Sequence, residues 1–329
     1  MISRTKPELT DAQVQDMFDA ACLGKVASFN KLGDGEYNAV YDVITDMGNY
    51  VLKVSPLDKT GILTYEQDMM RGEVFWYAQI RAHTNVKVPY VYYKDFSHTV
   101  FPSDYFIMER MEGEQLNNAN LSDEEKLWCK EEIARIIAKF HKIQNNKYGY
   151  LQNQLYDNWY LALKNMTLNL IDDTKRVGRT TRRGNKLLKY IDQYKFILAD
   201  VPCSMVNLDM WYGNILCVRN KNKLELIVID PERTLWGDAI FDFVNLEFDK
   251  ILNKKTISLN AYNEIAKTKV NCTKKEMIRF AFGIGYLALV QEAEKYYRYT
   301  PRHYGWWRNV ASYKFLYSNA FKILKQGLK

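Results

Sequence analysis

The sequence predicts an α+β protein of two lobes, a β-rich N-terminal lobe followed by a mainly helical C-terminal lobe. About the first 110 residues contain short stretches with the alternation of β-strands, whereas the chain from Ser122 onward shows mostly helical spacing. One short β-rich pair interrupts the helical part. We therefore expect an N-terminal lobe over residues 1–108, a linker over residues 109–113 and a C-terminal lobe over residues 114–329.

The composition is that of a globular chain. Of 329 residues, 47% are hydrophobic, 26% charged and 14% aromatic, with 7 prolines, so a disordered state is excluded. A chain of this length buries about three quarters of its unfolded surface and needs no disulfide or metal staple. The 5 cysteines are widely spaced without a CxxC pair, which argues against a zinc site and fits a reducing, cytoplasmic compartment.

Hydropathy and charge limit the expected partners. The first residues lack the apolar stretch of a signal peptide, and the uncharged residues 280–291 are too few to span a bilayer, which takes about 20. These residues are better explained as a buried helix. The net charge of +7 is mild for the length and suits an anionic ligand. We expect no membrane or nucleic-acid partner, and a monomer or homodimer.

The N-terminal lobe is predicted to run in the order hairpin, strand, helix, strand, strand. A Gly-Asp-Gly turn at residues 33–35 joins the first two strands. Residues 67–82 have apolar side chains at helical spacing and predict the helix. The strands share alternation and β-forming residues, and they are expected at residues 25–32, 39–45, 50–55, 90–93 and 105–108.

The C-terminal lobe is predicted from caps and helical periodicity. Ser122 and Glu125 form a capping box before a long amphipathic run that ends near His141. Helices are also expected at residues 158–173, at residues 185–200 and from residue 241 to the end. A hairpin is expected between them, with strands at residues 215–218 and 224–229.

The strongest chemical signal is the segment NLDMWYGN at residues 207–214, followed by Asp230 at the end of an apolar strand. Asp209 and Asn214 bracket a tight loop, so with Asp230 they can place three oxygen ligands around one small volume. Magnesium takes such ligands where phosphoryl groups are transferred, and the transfer needs an Asp to accept the hydroxyl proton. Taken singly, Asp209 is better explained as a helix or turn cap and Asp230 as a turn residue at the end of a strand. The spacing between them and the residues upstream favour the catalytic interpretation instead.

Upstream, two glycines and one lysine complete the pattern. Gly33 and Gly35 let the backbone approach a ligand closely, although such a pair is also typical of a plain hairpin turn. Lys53 is the lone charge in the apolar strand YVLKVS. It therefore either extends to solvent or points into a cleft.

The predicted helix offers a carboxylate for this lysine. A strand Lys paired with a Glu of the following helix positions nucleotide phosphates in kinases. Glu73 is the preferred partner because apolar neighbours place the buried helix face beside it, while Glu66 and Asp68 are rivals.

In the order of these motifs, the chain resembles the aminoglycoside phosphotransferase and choline kinase superfamily, which has a protein-kinase-like fold. The resemblance extends across most of the chain. In the N-terminal part, Gly35, Asn38, Val40 and Tyr41 match the nucleotide loop of the family, Lys53 matches its strand lysine and Glu73 its helix glutamate. The linker of the family matches Met108, Glu109, Gly113 and Leu116, and a helix that ends in histidine matches residues 137–141. The catalytic loop matches residues 207–214, the metal Asp and the following acid match Asp230 and Glu232, and the next signature matches Gly237, Asp238 and Asp242.

The resemblance implies a role for each of these residues. Asp209 would orient and deprotonate the acceptor hydroxyl, and Asn214 and Asp230 would hold Mg²⁺. Lys53, kept in place by Glu73, would bind the α- and β-phosphates of ATP, with GTP left open. The remaining implied contacts are the backbone near Gly33 and Gly35 over the phosphates, the backbone from Glu109 to Met111 at the adenine edge, and Asp242 as a brace for the catalytic loop.

Two departures from the family pattern affect the loop. Asn207 replaces the usual histidine, and because it has both donor and acceptor groups it can substitute as a brace. Leu208 replaces the usual glycine, which suggests ordinary backbone angles there. We expect an ATP-dependent kinase for a hydroxyl of an aminoglycoside-, choline- or sugar-like molecule. The alternative is a nucleotide-binding regulatory module without transfer activity, supported mainly by Asn207.

Two further segments have open interpretations. Residues 175–189 carry seven basic residues and are either a solvated loop joining two helices or a basic lip for an anionic substrate. A basic interaction protein that uses this segment is a third, weaker hypothesis. The aromatic residues 296–307 either line the acceptor pocket or pack the last helix, and Glu292 and Glu294 either contact a cationic acceptor or are exposed. His141 is expected to be structural.

Overall fold

The computed structural model describes residues 7–33, 37–57, 60–221 and 223–327. Within these ranges the helices are α1 (Asp11–Ala21), α2 (Met69–His83), α3 (Asp123–Phe140), α4 (Trp159–Arg176), α5 (Arg182–Gln193), α6 (Lys195–Ala199), α7 (Thr256–Ile265), α8 (Lys274–Arg298) and α9 (Tyr304–Gln326). The strands are β1 (Val26–Lys31), β2 (Ala39–Thr45), β3 (Gly48–Val54), β4 (Val91–Asp95), β5 (Tyr105–Glu109), β6 (Glu114–Gln115), β7 (Ser204–Val206), β8 (Ile215–Asn220), β9 (Lys223–Val228) and β10 (Leu235–Gly237). The predicted α+β class, with a β-rich first part and a helical second part, is confirmed.

The N-terminal strands form one antiparallel sheet in the order β1-β2-β3-β5-β4. Alternation along β3 gives the sheet two different faces. Leu52 and Val54 pack toward α1 in a small core, while Val51 belongs to the main core of the protein. Lys53 follows the same alternation as Val51, so it points toward α2 and the C-terminal lobe rather than toward α1.

Helix α1 was not predicted from the sequence. Thr10 and Gln13 form a capping box at its start, and Val14, Met17 and Phe18 are its buried residues. Its apolar side chains are few and separated by polar residues, so its periodicity is weak. The sheet supplies the missing partner surface by covering those three residues.

The predicted helix over residues 185–200 was wrong in its bounds. Helix α5 begins earlier, where the Thr181 side chain accepts a hydrogen bond from Gly184, and it ends at Gln193. Tyr194 has φ −103° and ψ 20°, which separates α5 from the short α6. The basic segment is therefore mostly helix rather than loop.

Helix α8 lies in the middle of the C-terminal lobe. Residues 280–291, predicted as a buried helix, lie within α8, and most of their side chains are buried. Helix α9 packs along α8 and covers it. No helix in the described ranges is long and apolar enough to cross a membrane.

The segment after β5 leads directly to the predicted hairpin. Gly113 has φ +142° and precedes β6, which pairs with β8. A Cβ at this position would lie 3.0 Å from Val218 Cγ2 and 3.2 Å from the Cys217 carbonyl oxygen. The positive φ and the close approach therefore both favour glycine.

We expect Gly113→Ala to lower the free energy of unfolding by about 1–2 kcal/mol, because an L-residue is strained at this φ and its methyl group meets the hairpin. Urea denaturation measures the change. The control is Gly61→Ala, since Gly61 has open space around the position of a Cβ. Equal stability of the two variants would contradict the prediction.

Candidate active site

A buried ion pair joins the sheet to helix α2. Lys53 Nζ lies 2.8 Å from Glu73 Oε2, and neither side chain is more than 5% exposed. Lys53 pairs in register with Val40 of β2 and Phe106 of β5, so the central strands fix its position. Glu66, one of the two rival partners, instead forms an ion pair with Arg298 of α8.

The same lysine reaches the C-terminal lobe. Its Nζ lies 2.5 Å from Asp230 Oδ1 and 3.7 Å from Glu232 Oε2. Burial lowers the pKa of Lys53, but Asp230, Glu73 and Glu232 together hold it well above the usual value. Lys53 is therefore a permanent cation among three carboxylates.

The hairpin β8–β9 brings Asn214 and Asp230 together. Ile215 pairs with Val228, so the residues just outside the pair lie at the same open end of the hairpin. Ile229 N donates to Asn214 O at 3.0 Å, and Asp230 N donates to the Tyr77 hydroxyl at 2.8 Å. Asp230 itself has φ +58°, a strained value for a residue other than glycine.

Asp209 lies beside Asn214. The Asn214 side-chain amide donates to Asp209 Oδ2 and to the Asp209 carbonyl oxygen, both at 3.1 Å. Burial raises the pKa of the Asp209 carboxyl, Arg233 acts to lower it, and Asp230 acts to raise it. The structure thus brings Asp209, Asn214, Asp230 and Lys53 to one place.

The loop before Asp209 is held by Asp242. This buried carboxylate accepts hydrogen bonds from the backbone N–H of Asn207 at 3.0 Å and of Leu208 at 2.7 Å. His141 Nε2 lies 2.9 Å from the same carboxylate, and its Nδ1 lies 2.8 Å from the Tyr262 hydroxyl. His141 is therefore part of a buried polar support.

Asn207 contacts the loop as well. Its Oδ1 accepts a hydrogen bond from the Asp209 backbone N–H at 2.9 Å. Leu208 has φ +59°, so the prediction of ordinary backbone angles there was wrong. The bonds from Asp242, together with a 2.6 Å bond from Asn245 to the Leu208 carbonyl, hold this strained conformation.

Arg233 is a residue of the site that the sequence analysis missed. Its Nη2 lies 2.7 Å from Glu294 Oε1, and its Nε lies 3.7 Å from Asp209 Oδ2. Glu294 also accepts from the Tyr65 hydroxyl at 2.8 Å. The only signal in the sequence is that Arg233 follows Asp230 closely in DPER.

The remaining predicted nucleotide residues lie around this centre or outside the described ranges. The Leu32 N–H donates to the Val40 carbonyl oxygen, and Val40 pairs with Lys53 across the sheet. The chain therefore leaves the sheet at Gly33, level with Lys53, and Gly33 has φ +59°. Gly35 lies outside the described residues.

The residues predicted to contact the adenine edge follow the central sheet. Glu109 ends β5, about 10 Å along that strand from Phe106, which pairs with Lys53. Met111 is half-buried in the segment that follows.

The donor atoms fit a hard divalent cation. Asp230 offers a carboxylate, and because the Asn214 amide nitrogen faces Asp209, its oxygen is left for a ligand. Glu73, Asp230 and Glu232 form a second possible set, with ligand atoms within 4.8 Å of one another. Since the Glu73 side chain is fully buried whereas the Asp230 side chain is 35% exposed, the set of Asn214 and Asp230 is the more accessible of the two, with Glu232 nearby.

The other two predicted segments have mixed outcomes. Glu292 and Glu294 are buried, so the interpretation of exposed positions was wrong. Trp306 packs against Tyr296 at 5.5 Å between ring centroids, whereas Trp307 is 60% exposed. The packing interpretation therefore applies to Trp306 and not to Trp307.

A buried Lys–Glu pair on a small antiparallel sheet, set above an Asp–Asn loop and a strand-end Asp, defines a kinase-like phosphotransferase fold. The model of the phosphotransferase enzyme family matches residues 28–251. The chain belongs to this family, and the resemblance drawn from its sequence is confirmed. No curated protein matches the chain.

Solved structures share the fold at low identity. A protein of Haemophilus somnus 129PT, provisionally named a fructosamine-3-kinase, is 17% identical, with 91% of this chain and 92% of that chain covered and a TM-score of 0.62. An APH(2") enzyme in complex with GDP and kanamycin is 14% identical, with 94% and 99% covered and a TM-score of 0.62. An APH(4)-Ia variant with AMP-PNP and hygromycin B is 14% identical, with 95% and 98% covered and a TM-score of 0.61.

We expect Asp242→Ala to lower the free energy of unfolding by about 2–4 kcal/mol, because a buried N–H group of Asn207 and a partly buried one of Leu208 lose their acceptor. Urea denaturation measures it. The control is Asp249→Ala, at an exposed position five residues after the end of the short helix Ala239–Val244, and it should change stability by no more than about 0.5 kcal/mol. A loss for Asp242→Ala as small as the control would contradict the assigned support.

Proposed function

We propose that this protein transfers the γ-phosphate of ATP to a hydroxyl group of a small molecule, with Mg²⁺ as cofactor. The observation that carries the proposal is the convergence of Asp209, Asn214, Asp230 and Lys53. Phosphoryl transfer depends mainly on positioning and on charge stabilisation rather than on covalent chemistry by the protein. Phosphoryl transfer requires a fixed cation for the phosphates, ligands for a metal ion and a proton acceptor near the hydroxyl group.

The residues divide this work. Lys53 already holds a carboxylate oxygen of Asp230, and a phosphate oxygen is a chemically equivalent partner. Asn214 and Asp230 would hold the magnesium ion, which when bound neutralises charge on the phosphates. Asp209 would orient the acceptor hydroxyl and take its proton, and its raised pKa favours that role.

The surroundings of Asp209 argue against a polycationic acceptor. The carboxylates on this side are already paired, Glu294 with Arg233 and Arg298, and Glu66 with Arg298. A polycation needs unpaired acids, and its ammonium groups would be repelled by the two guanidinium groups. The neighbouring cavity of about 20 Å³ has room for about one water molecule, and its lining of tyrosines, aliphatic side chains and Arg233 contains no acid for an ammonium group. We therefore expect an uncharged, sugar-like acceptor rather than a polycation.

The regulatory alternative loses its main support. It rested on Asn207, whose side chain accepts from the Asp209 N–H and so provides the brace expected of the residue it replaces. The acids of the proposed mechanism are all present. ATP is preferred to GTP only by the resemblance to the family, and a nucleotide comparison belongs to the first experiment.

We expect Asp209→Asn to lower acceptor-dependent ADP release by about 10²- to 10⁴-fold, because the proton acceptor is lost. The assay measures magnesium-dependent turnover of ATP and GTP against sugars, amino alcohols, choline and aminoglycosides. Binding of ATP, followed by thermal shift, should be retained. Asp249→Asn is the matched control and should keep full turnover. Unchanged turnover in Asp209→Asn would place the proton acceptor elsewhere, and nucleotide binding without any turnover by the wild type would favour the regulatory module.

We expect Arg233→Met to move the acid limb of the kcat/KM profile to higher pH. Arg233 lowers the pKa of Asp209 against the effect of burial, so removing the guanidinium raises that pKa and the base is protonated at a higher pH. Arg298→Met is the control, because Arg298 shares Glu294 with Arg233 but is not among the groups that shift the pKa of Asp209. An acid limb that stays at the wild-type pH would contradict a contact of Arg233 with the working base.

A further inference from the structure

Two segments of the chain contain no acidic residue. Residues 174–191 carry 7 Lys and Arg residues, and residues 295–329 carry 8, without one Asp or Glu in either. The rest of the chain therefore holds 31 of the 46 basic residues against all 39 acidic ones. The net charge of +7 is therefore the sum of two strongly basic segments and a remainder with more acidic than basic residues.

The fold places these two segments side by side. Lys186 Nζ of α5 lies 4.7 Å from the ring centroid of Phe321 of α9, and Tyr190 lies 5.9 Å from the same ring. Arg179 lies over Tyr296 at 5.8 Å. We call five of the exposed cations of this region the basic face, namely Arg179, Arg183, Lys186, Lys314 and Lys322.

Three cations of the basic face lie close enough to Lys295 to act on its charge. Lys295 is enclosed by the rings of Tyr296, Trp306 and Tyr313. Burial lowers its pKa to about 8, and Lys314, Arg183 and Arg179 contribute in the same direction. Among the described residues, no carboxylate lies within ion-pair distance of the five cations of the basic face.

Large aromatic side chains project beside these cations. Tyr304, Trp307 and Phe315 of α9 are 78%, 60% and 50% exposed. They lie on the same exposed side of α9 as Lys314, since helix positions three, four, seven and eight apart share one side. Their positions extend over about 16 Å of the helix axis.

We propose that the outer side of α9 and α5 docks this protein reversibly on a surface of anionic phospholipids. Each cation near such a surface strengthens binding, while aromatic rings enter the interface between head groups. This proposal does not depend on the proposed function, and it replaces our expectation, drawn from the overall charge, that the chain has no membrane partner.

Other occupants fit the surface less well. A second copy of the chain would bring the same five cations against one another, which is repulsive. Single-stranded nucleic acid follows a groove in which rings stack on successive bases. Tyr304 and Trp307 are about 4.5 Å apart along the helix axis and Phe315 lies about 12 Å further on, all on one outer side, which is the pattern of an interfacial helix.

The experiment uses the full chain and vesicles of phosphatidylcholine with or without phosphatidylglycerol. We expect co-sedimentation only with the anionic vesicles, weakened by salt, and a blue shift of tryptophan fluorescence from Trp307. Lys314→Glu with Lys322→Glu should lower the partition coefficient by roughly tenfold or more, since each cation contributes roughly fivefold. Phe315→Ser should weaken binding without changing its salt dependence.

The control is Lys87→Glu with Lys126→Glu, which makes the same change in net charge at two exposed lysines elsewhere. It should bind like the wild type apart from a small general effect of net charge, and cooperative thermal unfolding without any ligand verifies that every variant is folded. The proposal is overturned by absence of binding to anionic vesicles at low salt, or by equal losses in the control. It is also overturned if an RNA oligonucleotide binds through Lys314 and Lys322 while the anionic vesicles do not bind the protein.

Discussion

The ion pairs of Lys53 are the constraint on which the site depends. A buried ammonium group is costly unless carboxylates compensate it, and removal of one partner of such a pair is strongly destabilising. Lys53 is compensated by Glu73 from α2 and by Asp230 from the end of β9. The sheet, the helix and the hairpin must therefore meet at one point, and this meeting places the N-terminal sheet over the loop that carries Asp209.

Backbone strain is concentrated at the same place. Leu208 and Asp230, on the two sides of the site, both have positive φ, a conformation that costs free energy for residues other than glycine. At Leu208 the cost is offset by hydrogen bonds from its N–H to Asp242 and to its carbonyl from Asn245. Asp242 is in turn fixed by His141, so helix α3 supports the loop through one buried carboxylate.

The sequence could predict the parts whose signals are local. The strands around Lys53, the hairpin β8–β9 and the capping box of α3 depend on alternation, turns and caps within a few residues, and the resemblance supplied their order. Helix α1 was missed because the partner of its short apolar side is the sheet, and Leu208 was misjudged because a buried carboxylate 34 positions away holds it. Arg233 was missed because its importance comes from contact with Glu294, 61 positions away.

The distribution of paired and unpaired charges says more about partners than the net charge does. In the site, acids outnumber cations. Lys53, Arg233 and Arg298 offset Glu73, Glu294 and Glu66. Burial and the nearby Asp230 raise the pKa of Glu232, so the charge left for ligands is mainly that of Asp209 and Asp230. That remainder suits a divalent cation carried in with phosphates. On the outer side of α9 the reverse holds, because the lysines there have no acids within their own segment. One chain of modest net charge can therefore carry a cation-binding cleft and an anion-binding surface, since each is decided by which charges the fold leaves unpaired.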